Sequence, residues 1–287
     1  PGTSTCTPAT DAQVNAQVYM WIQVTNNTGT NNVNNLYFND TLPAGMQTVA
    51  GDIFVSRVAG QCDESPSPIP NEAGGATTFN FNAGRHLDDL DNASSCIISV
   101  PVTSTTAGLK SNTVTGANPA ALTGRTDTAT IRFWQPPSVA KAFSPATIGA
   151  GGTATLTITL TNPAANPGPI TGAAFSDTLA NMSVAGNQSV GGTCTGITPA
   201  SLANGQAGLI AFSGIGIPQG GNCTVTFTVT STNVGVNPNS TTGVTSTQAP
   251  TAGAGSAAAD LTVAGTALIK AFSPATITAG TVSRLTF

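Results

Sequence analysis

Charge is what this sequence most lacks. Charged residues make up 7% of its 287 positions, against about 25% in an ordinary soluble protein, so the polar surface has to be built from Thr, Ser, Asn, Gln and backbone. Eight Lys and Arg stand against twelve Asp and Glu with no basic cluster, which excludes the electrostatic footprint that supplies most nucleic-acid affinity. No apolar run approaches the roughly 18 residues of a membrane-spanning helix. The stretch after Pro1 lacks the charged and apolar regions of a signal peptide, so any export signal or anchor is expected outside this sequence. Histidine occurs once, at His86, and there is no nucleophile elbow or phosphate-binding loop. No complete set of catalytic groups and no cofactor motif is present, and the protein is read as a non-enzyme without cofactor or metal.

What is abundant is Thr, Val, Ile, Asn, Gly and Pro, with 32 glycines and 19 prolines. This composition favours pleated strands joined by turns over helices. Thr153 to Thr161 alternates small polar with apolar residues, placing Leu156, Ile158 and Leu160 on one face. Val225, Phe227 and Val229 repeat that alternation, as do Ile98, Val100 and Val102. In Val18 to Val24 the even positions share one face while Tyr19 and Trp21 take the other, so both faces are expected to be partly covered. Leu261 and Val263, and earlier Ile131 and Phe133, close their units. Gly149-Ala150-Gly151-Gly152 and Pro218-Gln219-Gly220-Gly221-Asn222 supply turn chemistry. Several short strands per unit between such turns read as a two-sheet sandwich, and their apolar faces are enough to favour folding over disorder.

A repeat organises the chain. Lys141-Ala142-Phe143-Ser144-Pro145-Ala146-Thr147-Ile148 recurs identically at Lys270 to Ile277, 129 residues later. Phe38-Asn39-Asp40-Thr41-Leu42 answers Phe175-Ser176-Asp177-Thr178-Leu179, offset by 137, and Cys96 with its following strand answers Cys223, offset by 127. The landmarks divide the chain into a first unit over 1–136, a second over 137–265 and the opening of a third over 266–287. The first unit reads as lacking the opening strand and as carrying an insertion over 62–96.

The Lys-x-Phe-Ser-Pro-Ala-Thr-Ile segment, the Thr-Leu-Thr-Ile-Thr-Leu-Thr-Asn strand, Phe-Ser-Asp-Thr-Leu and the late Gly-Gly-Asn-Cys-Thr-Val-Thr strand resemble bacterial surface repeats of the DUF-eleven type and their relatives. The resemblance covers nearly all of the second unit, the start of the third and about two-thirds of the first. It implies an all-β chain of tandem immunoglobulin-like β-sandwich domains from a large secreted or cell-surface protein; it says little about function, which a fold alone does not settle.

The repeat alignment makes Cys62 equivalent to Cys194 and Cys96 to Cys223, which suggests one bridge per unit, Cys62–Cys96 and Cys194–Cys223, in an oxidising compartment. Buried free thiols are the alternative, and two cysteines without a histidine cannot supply zinc's four ligands. Cys6 is left over. Around His86, Asp88, Asp89 and Asp91 lack the spacing of a Ca²⁺ loop and read as a solvated acidic loop. Lys141 and Lys270 are two of three lysines. Surface immunoglobulin-like modules sometimes weld a first-strand Lys to a last-strand Asn or Asp through an isopeptide bond, which casts Lys141 as donor, Asp177 as helper and Asp260 as acceptor. The plainer reading is a lysine whose stem packs on the sandwich edge. The Asn-x-Ser/Thr triplets, Asn239-Ser240-Thr241 among them, are frequent because their residues are frequent.

The leading expectation is therefore an extracellular structural repeat of a fibre, filament or stalk, whose partners are copies of itself or adjacent repeats of a longer chain. In its sharper form Leu268-Ile269-Lys270-Ala271-Phe272 supplies a strand to the first unit of a neighbour, polymerising subunits head to tail. Two other readings stay open: an adhesin module binding a glycan or host protein through loops of the first unit, and an accessory domain of an enzyme lying beyond Phe287.

Overall fold

The computed structural model describes residues 9–27, 29, 31–59, 62–65, 73–82, 86–118, 123–266 and 269–286, with backbone alone at 62–65, 88 and 89. Every regular element among them is a β-strand.

Eleven strands build the first unit: β1 (Asp11–Gln13), β2 (Val18–Thr25), β3 (Tyr37–Thr41), β4 (Met46–Thr48), β5 (Phe54–Ala59), β6 (Cys62–Ser65), β7 (Thr78–Phe81), β8 (His86–Leu90), β9 (Ser95–Ser104), β10 (Gly108–Asn118) and β11 (Thr126–Trp134). One sheet runs β1-β11-β10-β3-β7, and the other runs β2-β9-β4 with β5 also on β9. Their inner faces meet in one core, where Phe38 and Phe81 stack at 4.9 Å between ring centroids. Phe79, Phe81, Leu87 and Leu90 are all buried there. The 62–96 stretch, read from the sequence as an insertion, thus contributes to the core itself, and His86 to Leu90 is a strand with two inward leucines where a solvated loop is expected.

The second unit comprises β12 (Ser138–Ser144), β13 (Thr147–Gly149), β14 (Thr153–Thr161), β15 (Ile170–Leu179), β16 (Ser183–Val184), β17 (Gln188–Ser189), β18 (Gly191–Gly192), β19 (Ser201–Leu202), β20 (Gly208–Ile217), β21 (Asn222–Thr230), β22 (Gly235–Asn239) and β23 (Ala259–Ala264). One layer runs β12-β14-β21-β16. The other holds β13-β23-β22 and β15-β20, linked by the bridges Asp177↔Thr241 and Ala174↔Thr245. On β14, Ala154, Leu156, Ile158 and Leu160 are buried and the threonines between them are not, as the alternation predicts. Leu156 faces Phe227, Ile158 faces Val225 and Leu160 faces Cys223 across the ladder.

Among the described residues the two units differ along this edge. No described strand flanks β2 on the side where β12 flanks β14, and of the even positions only Ile22 is fully buried, with Val18, Met20 and Val24 half-buried against the core. The opening segment is nevertheless present in part. β1 pairs in parallel with β11 as β13 does with β23, and Thr7-Pro8-Ala9-Thr10 answers Ser144-Pro145-Ala146-Thr147 at the offset of 137 that relates Asp40 to Asp177. At that offset Ser4 stands in the place of Lys141.

The two units meet over a tight junction. Phe133 and Trp134 are adjacent, yet Phe133 lies in the first core and Trp134 in the second. Gln13 and Thr251 exchange two hydrogen bonds of 2.9 Å between the first unit's side-chain amide and the second unit's backbone. Asn166 brackets the connecting Gln135 by accepting from its N–H and donating to its carbonyl, each at 2.8 Å. An added Cβ on Gly168 would lie 3.3 Å from the Trp134 ring, so the close approach of this loop favours glycine.

After Gly265 the chain forms a hairpin of β24 (Ala271–Ser273) and β25 (Arg284–Thr286). Phe272 is 56% exposed there, whereas Phe143, in the same octapeptide, is 8% exposed.

Candidate functional site

On β12 the inward residues are Val139, Lys141 and Phe143. Two of them are apolar and Lys141 is not. Its side chain is 0% exposed, and its Nζ crosses from one sheet to the other to donate to both carboxylate oxygens of Asp177, each at 2.6 Å. Asp177 is likewise 0% exposed, held on the inner face of β15 between Phe175 and Leu179. Burial pushes the Lys141 ammonium below its ordinary range, and the adjacent Asp177 carboxylate works against that shift. Water has been exchanged for a single ionic contact, so loss of either partner leaves a lone charge in the core, at a cost of about 3–5 kcal/mol.

A third polar group faces the same space. Asn239 ends β22 with 4% exposure. Its Nδ2 donates at 2.6 Å to the carbonyl of Thr178, the residue after Asp177, while its Oδ1 is buried and accepts nothing. The antiparallel bridge Asp177↔Thr241 puts Asn239 two residues along from Asp177's partner, the diagonal position on one face. Such diagonal residues lie roughly 7–8 Å apart, within reach of long side chains. By contrast Asn237, the other inward asparagine of β22, spends its amide on the carbonyls of Asn233, Gly235 and Leu261.

The first unit keeps the acid and the amide without the lysine. Asp40 on β3 is 1% exposed, and β10 places Val114 opposite it and Asn112 on the diagonal, the arrangement that Asp177, Thr241 and Asn239 have in the second unit. Here the amide reaches the acid directly, Asn112 Nδ2 donating to Asp40 Oδ2 at 2.7 Å, with Met20 Sδ at 3.1 Å from the same nitrogen. Asp40 Oδ1 and Asn112 Oδ1 are left without partners. Burial raises the Asp40 carboxyl above its ordinary range, against the opposing bond from Asn112. Lys110, the first unit's only lysine, points elsewhere, donating to the Ala44 carbonyl and Thr106 Oγ1.

Asp260, the acceptor expected from the sequence, is exposed on β23 opposite Pro238 and is not part of this cluster. Alternation places it on the outer face, since Leu261 and Val263 fill the core. The sequence reading passed over Asn112 and Asn239. Their mutual offset of 127 is that of Cys96 and Cys223, and Asn112-Thr113-Val114-Thr115-Gly116 answers Asn239-Ser240-Thr241-Thr242-Gly243, a signal obscured by reading Asn239 as a surface triplet.

Cys194 and Cys223 form a disulfide, 4.7 Å between Cα atoms and 29 residues apart. Cys96 is disulfide-bonded as well; the side chain of Cys62 and all of Cys6 lie outside the described residues. Of the expected intersubunit strand, Leu268 also lies outside them, while Ile269, Lys270, Ala271 and Phe272 are exposed. Among the described residues no three acidic, His or Cys side chains cluster to hold a metal. His86 meets Tyr37 edge-on at 5.5 Å. On the outer face of the β2 sheet, Tyr19 and Phe54 pair at 6.0 Å, both nearly half exposed.

Residues 5–132 and 137–263 each match the model of one domain family, described as a Domain of unknown function (DUF7933). The two matched segments bear out a tandem repeat of one domain family, while the DUF-eleven label suggested by the sequence is not confirmed. No curated protein matches the chain. Among solved structures, the C-terminal domain of the Streptococcus agalactiae AgI/II polypeptide BspA aligns over 88% of this chain and 94% of its own, with 9% identity and a TM-score of 0.53. The C-terminal domain of the Streptococcus pyogenes antigen I/II-family protein AspA covers the same shares at 8% identity and 0.49. The major pilin SpaD of Corynebacterium diphtheriae aligns over 79% of this chain and 59% of its own at 12% identity and 0.33. The first of these likenesses shows that the two share an all-β fold, and nothing rests on the other two.

Proposed function

Because the chain belongs to the family described as Domain of unknown function (DUF7933), whose domain it carries twice, we propose that it is an extracellular structural module, a stiff repeat of a bacterial surface fibre or stalk. The junction carries this reading. A tryptophan of one unit buried in the core of the next, with two pairs of reciprocal hydrogen bonds beside it, is what a load-bearing spacer needs and a flexible linker lacks. The Cys194–Cys223 bridge fits an oxidising compartment. Spin labels placed one on each unit test it. A narrow interlabel distance distribution is expected, and a broad one would sink the idea.

Assembly belongs to the same proposal. The exposed Phe272 and Ile269 and a flank of β2 that no described strand covers fit strand addition between copies. Electron microscopy of the full chain and of a chain truncated after Gly265 distinguishes the outcomes: filaments from the first alone support strand exchange, and single particles from both remove it. The exposed Tyr19–Phe54 pair favours a second reading, an adhesin face for a glycan or host protein. A glycan array probed with wild type and Y19A checks that reading, which fails if neither binds.

A further inference from the structure

The buried lysine, acid and amide of the second unit are an unusual set to find in a core, and each has a part to play if they react. We propose that Lys141 Nζ and Asn239 Cγ become joined by an isopeptide bond inside the second sandwich, with Asp177 carrying the protons. The inference concerns chemistry inside the fold and holds whether or not the chain forms a stalk.

Three observations support it. Lys141 is held at 2.6 Å from both oxygens of an acid as deeply buried as itself. Burial lowers the Lys141 ammonium below its ordinary range, since an apolar interior disfavours the charged form, and this eases the loss of its proton. Asn239 sits on the diagonal from Asp177 with its carbonyl oxygen buried and empty, open to a donor that would polarise it.

The steps balance. Lys141 passes one proton to Asp177, leaving a neutral amine and a carboxylic acid. The acid donates its hydrogen bond to Asn239 Oδ1, and the amine lone pair attacks Cγ to form the new C–N bond. A proton moves from the attacking nitrogen to Nδ2, the Cγ–Nδ2 bond breaks, and ammonia leaves. Of the three protons that began on Nζ, one stays on the new amide, one departs with ammonia and one remains on Asp177. No oxidant or reductant is consumed. Two buried charges are replaced by a neutral amide and a neutral acid, which removes the desolvation penalty of the ion pair.

The first unit serves as an internal control. Asp40 and Asn112 repeat the geometry of acid and amide, but the side chain beside Asn112 Nδ2 is Met20, and Lys110 is engaged elsewhere. No bond forms there.

The test is the intact mass of the full chain, reduced and denatured, followed by protease digestion and fragment sequencing. The wild type is expected to be lighter than its sequence by one ammonia, with a branched peptide joining Lys141 to Asn239. K141R and D177N should each show the full sequence mass, and N112A should still show the one-ammonia loss. A wild-type chain at full mass overturns the proposal. So does an ammonia loss that persists in K141R, which marks a cyclised asparagine, or a branch mapped to another pair. Because the decisive reading is on the wild type, misfolding of a variant does not rescue the idea.

Discussion

The indole N–H of Trp134 donates to Asp11 Oδ1 at 2.7 Å while the Trp134 ring lies in the core of the other unit. Asp11 also pairs with Arg132 at 3.0 Å, so the first strand of one sandwich orients the residue that anchors the next. Trp134→Ala is therefore expected to cost the second unit about 3–5 kcal/mol and to free the two units from one another. Urea denaturation followed on the second unit, together with the interlabel distances, checks both effects; an unchanged midpoint would mean that the ring does not hold the junction.

Asp40 gives the first unit a dependence on pH. Its folded carboxyl titrates above its unfolded one, because burial outweighs the single bond from Asn112. Between those two values the native state binds more protons than the unfolded chain, so stability falls as pH rises through the window. Asp40→Asn removes that slope and brings an amide donor into a pair whose Asn112 Oδ1 has no partner. A gain of about 1–3 kcal/mol at neutral pH is expected, the size of a repaired buried polar group. Unfolding curves of D40N and wild type across the acidic range decide it, and parallel curves would refute the role of Asp40.

The Cys194–Cys223 bridge encloses a separation of 29 residues, for which loop closure predicts roughly 3–4 kcal/mol. Cys194→Ser, or reductant alone, should lower the second unit's stability by that amount and leave the first unit's response to C194S unchanged. Calorimetry resolves the two transitions.

Truncation after Gly265 is expected to leave both melting transitions within about 0.5 kcal/mol of wild type, since neither core includes a residue of β24 or β25. A larger fall, measured by the same scans, would show that the hairpin supports the second unit.

How much of this could be read from residues alone depended on periodicity. β14 and β21 declare themselves because strict alternation has one physical solution, a strand with one face buried. Their repeat offset also led to the Cys194–Cys223 bridge. β7 and β8 were obscured, because Phe79, Phe81, Leu87 and Leu90 stand among Asn, Arg and Asp, and because Leu87 and Leu90 are three residues apart, both buried across a register shift in β8 that breaks the alternation. Lys141 stands out because the repeat duplicates it at Lys270, and Asp177 enters only as the helper of an isopeptide bond, behind the plainer reading of a lysine packed on the sandwich edge. The amide beside them was missed, since choosing Asn239 over Asp260 requires knowing which face of the last strands points inward and which strand borders β15. Alternation rules Asp260 out, but only the bridge Asp177↔Thr241 brings Asn239 in. Trp134 was unpredictable in a different way: consecutive side chains point to opposite sides of a strand, but that one side belongs to another domain is a fact of packing.

The parallel pairing of β13 with β23 has a mechanical meaning. Thr147, Ile148 and Gly149 run alongside Thr262, Val263 and Ala264 in the same direction, and the chain enters the unit ahead of the first strand and leaves it after the second. Tension along the polypeptide pulls these two strands past each other lengthwise, so their hydrogen bonds are strained together rather than unzipped one at a time. β1 and β11 repeat the arrangement in the first unit. Under a pull from both ends, each sandwich resists in shear, the direction in which a short ladder is strongest.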